Sequence, residues 1–417
     1  MSEFKNLRKI FSQWGGGTSA FFAYAHGSHD LCPALIVPLL PLIRTDLGLT
    51  YLQSGILIAA YAITAGLSQF FGGWMGDRFG RRIVVSVGMG GVGLATMAVG
   101  FTSSYYSMLF VLFIMGVFAG AYHPSIIPML FGCFGAEKRG KALGLHMVGG
   151  SIGFAAGPLI GGLIAVKLGW HFAFIILGIP ALVAAGLILK KYSWQEYAGA
   201  GKPVSHTSTA NDGTVYTAER RGGIGQVLRP FLGIASLAIL TQLMVGSAMA
   251  FIPLYLVDKY NVAPAYAAMW MGILRGGGIP GNLFGGWLSD KWNRRNALLL
   301  VLVATGPLLY LFTRLPFSAF LLVVLVIFGV VTQMRGTTIQ PFLMDNTPPH
   351  LMATVFGIYF GIAREGISLV QPVAGYFMDI FGIVEVFHFI ALICVALSLV
   401  ALLTIIRPRL GRRTHTA

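Results

Sequence analysis

Two histidines and an aspartate stand close together near the start of the chain, in the otherwise apolar stretch AYAHGSHDLCP. At about 100° per residue in a helix, His26, His29 and Asp30 lie on one face. An imidazole beside a carboxylate can pass a proton, and clustered imidazoles with a carboxylate can also bind iron, manganese or zinc. In a third interpretation, each histidine only bonds a neighbouring segment and fixes packing.

More ionisable residues are embedded in apolar segments further along the chain: His123, His146, Arg275, Arg335, Arg364 and Glu365. Such groups are costly inside a bilayer, so they usually pair with one another or line a cavity. One interpretation pairs Arg364 or Arg335 with Glu365 or Asp30. The arginines still outnumber these two acids, and guanidinium groups bind carboxylates and phosphonates in bidentate fashion. This excess favours an anionic or zwitterionic solute.

The segments that carry these residues are long enough to cross a membrane. The chain has 417 residues, of which 56% are apolar and only 10% charged, and a spanning helix needs about 20 apolar residues. The pattern predicts an all-α integral membrane protein with twelve transmembrane helices, arranged as two pseudo-symmetric six-helix bundles. The predicted helices cover 18–43, 51–75, 82–102, 106–132, 140–165, 170–190, 230–257, 264–288, 296–313, 317–344, 351–378 and 383–406.

Several other classes of protein are excluded by the same sequence. The first apolar run is too long for a signal peptide and no cleavage pattern follows it, so we expect it to be retained. The apolar runs lack the alternation of barrel strands, and all three cysteines lie within them, which argues against a disulfide framework. No P-loop, HExxH or GxSxG motif occurs in a suitable context, so we expect neither an enzyme nor a resident cofactor or metal.

The placement of the basic residues predicts how the helices are oriented. If the loops alternate from a cytoplasmic N-terminus, 22 of the 29 lysines and arginines fall on the cytoplasmic side. This is the positive-inside bias, which puts both termini in the cytoplasm. The formal charge of +15 therefore reflects membrane topology rather than nucleic-acid binding.

The chain contains an internal repeat with an offset of 213 positions, because GGWMGDRFGRR begins at Gly72 and GGWLSDKWNRR at Gly285. The same offset aligns Pro128 with Pro341 and Gly144 with Gly357. It predicts an N-terminal bundle at 1–189, a polar cytoplasmic linker at 190–229 and a C-terminal bundle at 230–417, with a cavity between the bundles.

This arrangement resembles the major facilitator superfamily over essentially the whole chain. The two repeated loops are similar to the family's signature between helices 2 and 3 and between helices 8 and 9. The resemblance implies a cytoplasmic latch that holds one conformation and breaks in the other. The latch residues that it implies are Gly73, Asp77, Arg78, Arg81, Arg82, Gly286, Asp290, Arg294 and Arg295.

Predicted helix 5 carries a second signature of the family. In GLHMVGGSIGFAAGPLIGG, the spacing of Gly153, Gly157, Pro158 and Gly161 is similar to the pattern of the antiporter branch, although simple close packing would use the same glycines. Many proton-coupled members carry an arginine ahead of Gly116, where this chain has Leu112 and Phe113, which argues against proton coupling by that route. The YHPS motif that contains His123 and the histidines of helix 1 are similar to the fosmidomycin-resistance group of exporters.

The sequence thus predicts a secondary transporter of the cytoplasmic membrane, driven by protons and exporting a small organic anion or drug-like molecule. His26, His29 and Asp30 would carry the proton, with His123 and His146 nearby, and the arginines would hold the substrate. The expected partners are a small solute, the proton and the bilayer, and a monomer is compatible with the pattern. The alternatives are a transition-metal transporter that uses the histidines and a receptor or assembly partner that does not transport.

Overall fold

The computed structural model describes residues 16–191, 224–347, 355, 359 and 361–406. These ranges form α-helices joined by short turns, with no β-strand. The first half contains α1a (Gly16–Leu31), α1b (Ile36–Leu47), α2 (Tyr51–Phe79), α3 (Arg81–Val99), α4 (Tyr105–Gly132), α5 (Ala136–Leu168) and α6 (Trp170–Lys191). The second half contains α7 (Ile224–Tyr260), α8a (Pro264–Gly276), α8b (Gly278–Lys291), α9 (Arg294–Arg314), α10 (Ala319–Asn346), α11 (Gly366–Phe381) and α12 (Ile383–Ile406).

Nine of the described helices are individually long and apolar enough to cross a membrane, namely α2 to α7, α9, α10 and α12. The remaining three predicted spans are each divided or partly outside the described residues. A 3₁₀ turn at Pro33–Leu35 separates α1a from α1b, and Gly277 separates α8a from α8b. The fold is therefore the predicted all-α membrane architecture, with two spans broken into shorter helices.

Some boundaries differ from those that the sequence predicts. Helix α7 begins at Ile224, inside the predicted linker 190–229, and α6 continues to Lys191. The rest of that linker, 192–223, lies outside the described residues. The start of predicted helix 11 and the basic residues at both chain ends also fall outside them.

The internal repeat is visible in how helices pack. A methyl group on Gly116 of α4 would collide with the carbonyl oxygen of Tyr61 in α2, and one on Gly329 of α10 would collide with that of Leu274 in α8a. These two contacts are related by the offset of 213 at both partners. The small side chain lets the two backbones touch, so the repeat preserves a helix–helix register in each half.

The two ends of the molecule differ in how the halves meet. We call the end that carries loops 72–82 and 285–295 the motif end, and the opposite end, which carries turns 48–50 and 261–263, the contact end. Across the halves, α2 packs on α11, α5 on α8a, and α1b on both α7 and α8a. Hydrogen bonds and an ion pair join the halves at the contact end, where Arg44 meets Asp258 and Tyr51 meets Asp379.

Candidate functional site

Four histidines and one aspartate from three helices of the first half lie close together, and we call this group the Asp30 cluster. Its members are His26, His29 and Asp30 of α1a, His123 of α4 and His146 of α5. Helical spacing puts the first three on one face of α1a, which turns inward to the bundle, and all three are at most 6% exposed. The structure thus brings together all five residues that the sequence singles out in this half.

Asp30 lies at the centre of the cluster and both of its oxygens are engaged. Nε2 of His26 is 3.1 Å from Oδ2, and Nδ1 of His29 is 2.9 Å from Oδ1. Nε2 of His123 approaches the same Oδ1 at 3.9 Å, and that side chain is 32% exposed. His123 thus links the otherwise buried carboxylate to a more exposed part of the structure.

The hydrogen bonds of His26 fix where its protons are. Nδ1 lies 2.8 Å from the carbonyl oxygen of His146, and a carbonyl can only accept, so Nδ1 carries a proton. The contact between Nε2 and Asp30 also needs one proton. That proton belongs either to an imidazolium facing a carboxylate or to a carboxylic acid facing a neutral imidazole. The enclosed contact between Nε2 and Oδ2 is therefore where we expect a proton to lie.

His29 and His146 are held by aromatic stacking as well as by hydrogen bonds. The His29 ring stacks on Tyr122 at 4.2 Å between centroids, and the His146 ring stacks on His26 at 4.1 Å. Nδ1 of His146 donates to the carbonyl of Phe22 at 3.1 Å. Nε2 of His29 and the Tyr122 hydroxyl are buried and have no hydrogen-bond partner among the described residues. These two groups can accept or donate a further bond when a ligand or water arrives.

A glycine-lined face of α5 lets that helix lie directly against the cluster. A methyl group on Gly150 would stand 2.8 Å from Oδ2 of Asp30 and 2.6 Å from Cε1 of His26. Gly153 contacts the backbone of Gly27, and a methyl on Gly157 would lie 3.0 Å from the carbonyl of Leu31. The helix-5 signature therefore lies at the α1–α5 interface.

The remaining signature residues extend that interface. A methyl on Gly161 would lie 2.6 Å from Leu35, and Pro158 stands within α5 itself. The packing interpretation of the signature thus has a direct structural basis, whereas its link to antiport stays a prediction.

The cluster also presents donors that could hold a metal ion. His26, Asp30 and His123 each offer one ligand atom, and these atoms lie within 4.8 Å of one another. Two imidazole nitrogens and a carboxylate oxygen suit a divalent transition metal. The donors stand slightly too far apart for ordinary metal–ligand bonds of about 2.0–2.2 Å, so binding would draw them together.

In the second half, the structure places two of the predicted arginines away from the described carboxylates. Arg275 lies in the last turn of α8a. Its guanidinium stands 5.4 Å from the centre of the Phe154 ring in α5. Its Nε is buried and has no hydrogen-bond partner among the described residues. Arg335 lies in α10, within electrostatic range of Tyr359. No described acidic side chain lies within 4.0 Å of either guanidinium, and Asp30 bonds histidines instead of Arg335. Pairing of Arg335 with Glu365 stays a prediction.

Arg364 and Glu365 occupy a π-helical turn, Gly361–Glu365, just before α11. Their side chains lie outside the described part of the structure, so their predicted role and mutual pairing stay predictions.

The repeat identifies residues that the search for charged groups misses. The offset of 213 maps Tyr122 onto Arg335, and it maps His29 onto Gln242 of α7. Oε1 of Gln242 is buried and has no hydrogen-bond partner among the described residues. Since His29 stacks on Tyr122, we expect from the repeat that Gln242 lies near Arg335. Neither Tyr122 nor Gln242 is charged; Tyr122 belongs to the YHPS motif, whereas Gln242 is indicated by the repeat.

The repeated loops at the motif end make equivalent contacts in each half. Nη2 of Arg82 donates to the carbonyl of Leu189 at the end of α6, and Nη2 of Arg295 donates to that of Thr404 at the end of α12, 2.7 Å away. In both halves, this arginine ties the loop to the last helix of its own bundle.

The other charged residues of the loops are used differently. Arg81 bonds Asp77 one turn earlier at 3.0 Å, while Arg294 bonds Asp345 at the end of α10. Arg78 and Asp290 are exposed. In the described chain, every hydrogen bond and ion pair of these loops stays within its own half. The role of these residues as a latch stays a prediction.

The tightly packed glycine of each loop is the first of the pair, whereas the sequence analysis names the second. A methyl on Gly72 would lie 2.7 Å from Cα of Ala121, and one on Gly285 would lie 2.9 Å from Cα of Met334. By contrast, a methyl on Gly73 would meet only a carbon 3.6 Å away, and one on Gly286 would meet nothing within 4 Å. Gly72 and Gly285 set the helix contacts, whereas a role of Gly73 and Gly286 in the latch stays a prediction.

Comparison with known families gives one match over most of the chain. A family model described as Major Facilitator Superfamily matches residues 20–370. The uncharacterized MFS-type transporter YfnC of Bacillus subtilis (strain 168) is 26% identical over 361 residues, which cover 86% of this chain and 85% of that protein. The fosmidomycin resistance protein of Escherichia coli (strain K12) is 22% identical over 402 residues, covering 94% and 93%.

Among solved structures, this chain is similar to a bacterial homolog of the human lysosomal transporter Spinster, in its inward-facing and unoccupied conformation. The TM-score is 0.72 at 16% identity, and the match covers 92% of this chain and 94% of that one. At this identity the similarity concerns the fold.

Proposed function

The chain belongs to the Major Facilitator Superfamily, and we propose that it exports a small organic anion or drug-like molecule in exchange for protons. In this proposal it lies in the cytoplasmic membrane with both termini in the cytoplasm, as the positive-inside bias favours. The units that move are the bundles 1–189 and 230–417, joined by the linker 190–229. The motif end then faces the cytoplasm.

The observation that supports the proton proposal is the enclosed contact between Nε2 of His26 and Oδ2 of Asp30, 3.1 Å apart. Nδ1 of His26 is committed to a carbonyl, so a change in protonation has to occur on the Nε2–Oδ2 side of the ring. His123 contacts the same carboxylate and is partly exposed, so it offers a relay between Asp30 and water. A charge at bilayer depth is costly, and moving one proton onto or off the pair changes how favourable each conformation is.

The proposed anionic substrate is supported by the charge of the second half. Arg275 and Arg335 have no described carboxylate within salt-bridge distance, and an uncompensated guanidinium in a membrane protein is costly unless an anion or water approaches it. The fosmidomycin resistance protein, a relative over nearly the full chain, supports export of a small drug-like compound. The proposed substrate therefore pairs with arginines of the second half while the proton resides in the first.

Reconstitution tests both parts of the proposal together. The purified protein is placed in liposomes that contain a pH-sensitive dye, and a proton gradient is imposed. Addition of fosmidomycin, or of members of a panel of small carboxylates and phosphonates, should collapse the gradient faster than in protein-free liposomes. The Asp46→Asn variant, which changes a carboxylate bonded only within the first half, should behave like the wild type. Solute movement without any proton movement would reject the coupling.

A second candidate substrate is a divalent transition metal, because the ligand atoms of His26, Asp30 and His123 lie within 4.8 Å of one another. In that case, saturable uptake of Fe(II), Mn(II) or Zn(II) into the same liposomes should depend on these residues. The His26→Ala/His123→Ala double variant should lose that uptake. Uptake no greater than in protein-free liposomes would remove the metal candidate and leave the anion proposal in place.

A further inference from the structure

A network of polar contacts joins the two halves at the contact end. Nη1 of Arg44, in α1b, lies 3.0 Å from Oδ2 of Asp258 in α7. The hydroxyl of Tyr51, at the start of α2, donates to the same oxygen. The Arg44 guanidinium also stacks 4.0 Å above the Tyr51 ring. One carboxylate of the second half thus binds two residues of the first.

A second carboxylate of the second half caps a helix of the first. Oδ1 of Asp379 in α11 accepts from the backbone N–H of Tyr51, and Oδ2 accepts from that of Leu52, both at 2.8 Å. These are the first two N–H groups of α2, which have no partner inside the helix. A carboxylate at this position also interacts favourably with the positive end of the helix dipole.

The capping of α2 is divided between the two halves. The helix has its own capping box, in which the Thr50 side chain accepts from the N–H of Gln53 and the Gln53 side chain accepts from that of Thr50. That box leaves the N–H groups of Tyr51 and Leu52 unbonded, and Asp379 bonds those two. The first half supplies one part of the cap, and the second half supplies the complementary part.

The backbones around this shared cap are in close contact. A methyl on Gly55 of α2 would lie 3.0 Å from the Cα of Pro372 in α11, and one on Gly375 would collide with the carbonyl of Tyr51. These glycines let α2 and α11 approach closely enough for the short Asp379 side chain to reach the end of α2.

We propose that Asp379 and Asp258 keep the contact end closed, acting as a charged clasp between the halves. Separating the halves at this end breaks the Arg44 ion pair and the Tyr51 hydroxyl bond, and it removes half of the α2 cap. Asp379 is a positioning residue in this proposal, because it acts on the alternation between conformations and touches no substrate. The clasp lies opposite the repeated loops, whose described contacts stay within each half in the same conformation.

Distances between spin labels on the two halves test the clasp without any knowledge of the substrate. Phe101 and Phe317 lie in exposed loops of the first and second halves at the contact end. Labels are attached at Phe101→Cys and Phe317→Cys in a full-length protein whose three natural cysteines are replaced by alanine, in lipid nanodiscs. The Asp379→Asn and Asp258→Asn variants should each add a population with a longer distance between labels. The double variant should enlarge that population further.

The control keeps a carboxylate at the same end but within one half. Asp46 bonds Nε1 of Trp170 at 3.1 Å, and both residues belong to the first half. Asp46→Asn should therefore leave the distance distribution unchanged. A thermal melt and gel filtration establish that each variant is folded. If Asp379→Asn does not fold, Tyr51→Phe and Arg44→Gln remove clasp bonds without touching the helix cap, and they should also lengthen the distance.

An unchanged distribution in all the folded clasp variants would overturn the proposal, and so would an equal change in Asp46→Asn. Because no substrate or proton gradient is present in this experiment, its failure would leave the anion-export proposal standing. Conversely, a longer distance between the labels in the clasp variants would support the clasp even if the substrate proved to be a metal ion.

Discussion

The two halves of this transporter have equivalent helix–helix contacts, but they carry different polar groups. Gly72 and Gly285 press α2 and α8b against α4 and α10 at equivalent positions, and Arg82 and Arg295 each tie a loop to the last helix of its bundle. At other equivalent positions, where side chains lie between the helices, the two halves have different residues. The repeat thus preserves positions at which a backbone touches a backbone, because any added atom there would separate two helices.

The divergent positions divide the chemistry between the halves. In the first half, Asp30 gathers imidazoles that can gain or lose a proton. In the second half, Arg335 stands where the first half has Tyr122, and a guanidinium keeps its charge at any physiological pH. We infer from this difference that one half changes charge during transport while the other keeps a fixed cation for the substrate.

The largest effect should come from Asp30→Asn, which removes the carboxyl group of the first half that can gain or lose a proton. The new amide can donate to Nε2 of His26 and accept from Nδ1 of His29, so the network stays fully bonded with no exchangeable carboxyl proton. We expect a folded protein whose proton movement falls to the level of protein-free liposomes, while exchange of labelled substrate for unlabelled substrate continues. Normal proton movement in this variant would remove Asp30 from the proton path.

In the second half, Arg335→Ala should weaken substrate binding without uncoupling protons. Loss of a charge-assisted hydrogen bond costs about 1.5–3 kcal/mol, which corresponds to roughly a 10- to 150-fold weaker affinity. Arg335→Lys retains the charge but not the bidentate geometry, so we expect an intermediate value. Titration of the purified variants with the transported anion measures the effect. Equal affinity in wild type and Arg335→Ala would place the substrate elsewhere.

Gly150→Ala should perturb the Asp30 cluster through packing alone. The added methyl would stand 2.8 Å from Asp30 and 2.6 Å from His26, so either these two side chains shift within the cluster or α5 moves away from α1a. Overpacking of this kind costs about 1–3 kcal/mol, visible as a lower melting temperature in detergent. Gly144→Ala on the same helix meets nothing within 4 Å and should be neutral or slightly stabilising. Equal melting temperatures for the two variants would contradict the close approach of α5 to the cluster.

The packing equivalence of the halves is tested by two matched pairs of variants. Gly72→Ala and Gly285→Ala should each destabilise the protein by about 1–3 kcal/mol, and by similar amounts, because both would press on a backbone Cα. Gly73→Ala and Gly286→Ala should stay within about 0.5 kcal/mol of the wild type. A large effect in only one half would mean that the repeat has lost its structural symmetry at this contact.

Only a small effect on stability should come from Asp77→Asn. Its ion pair with Arg81 is exposed, with 71% of the Asp77 side chain accessible, and such pairs contribute at most about 1 kcal/mol. We nevertheless expect slower transport, because the predicted latch acts when the motif end closes. Liposome transport rates and melting curves separate the two effects, and a wild-type rate in this variant would reject the latch.

Much of this architecture could be predicted from hydropathy and spacing. The i, i+3 and i+4 spacing of His26, His29 and Asp30 requires a shared helix face, and the structure shows all three in contact. Long apolar runs similarly require membrane-length helices. Both patterns are local, so a single stretch of sequence contains the information.

Contacts between distant segments could not be predicted in the same way. Asp379 bonds Tyr51 across 328 positions, and nothing in the sequence near either residue indicates the other. The distinction between Gly72 and Gly73 depends on which side of α2 faces α4, and a run of two glycines does not reveal it. The interruption of α8 at Gly277 was missed because the apolar run continues through it, and its glycines are also typical of helix packing.

That interruption has a mechanical consequence, because α2 and α8 are repeats of one another and only one of them is continuous. Gly277 occupies the position of Thr64, whose hydroxyl donates to the carbonyl of Ala60 at 2.7 Å and also contacts that of Phe113 in α4 at 3.1 Å. Helix α2 therefore runs through this position without a break, whereas α8 is interrupted at the equivalent residue. Glycine interruptions are places where helices bend, so we expect α8 to bend more readily than α2 and to move Arg275, two residues from Gly277, as it does. The two halves, alike in their packing, would then differ in stiffness.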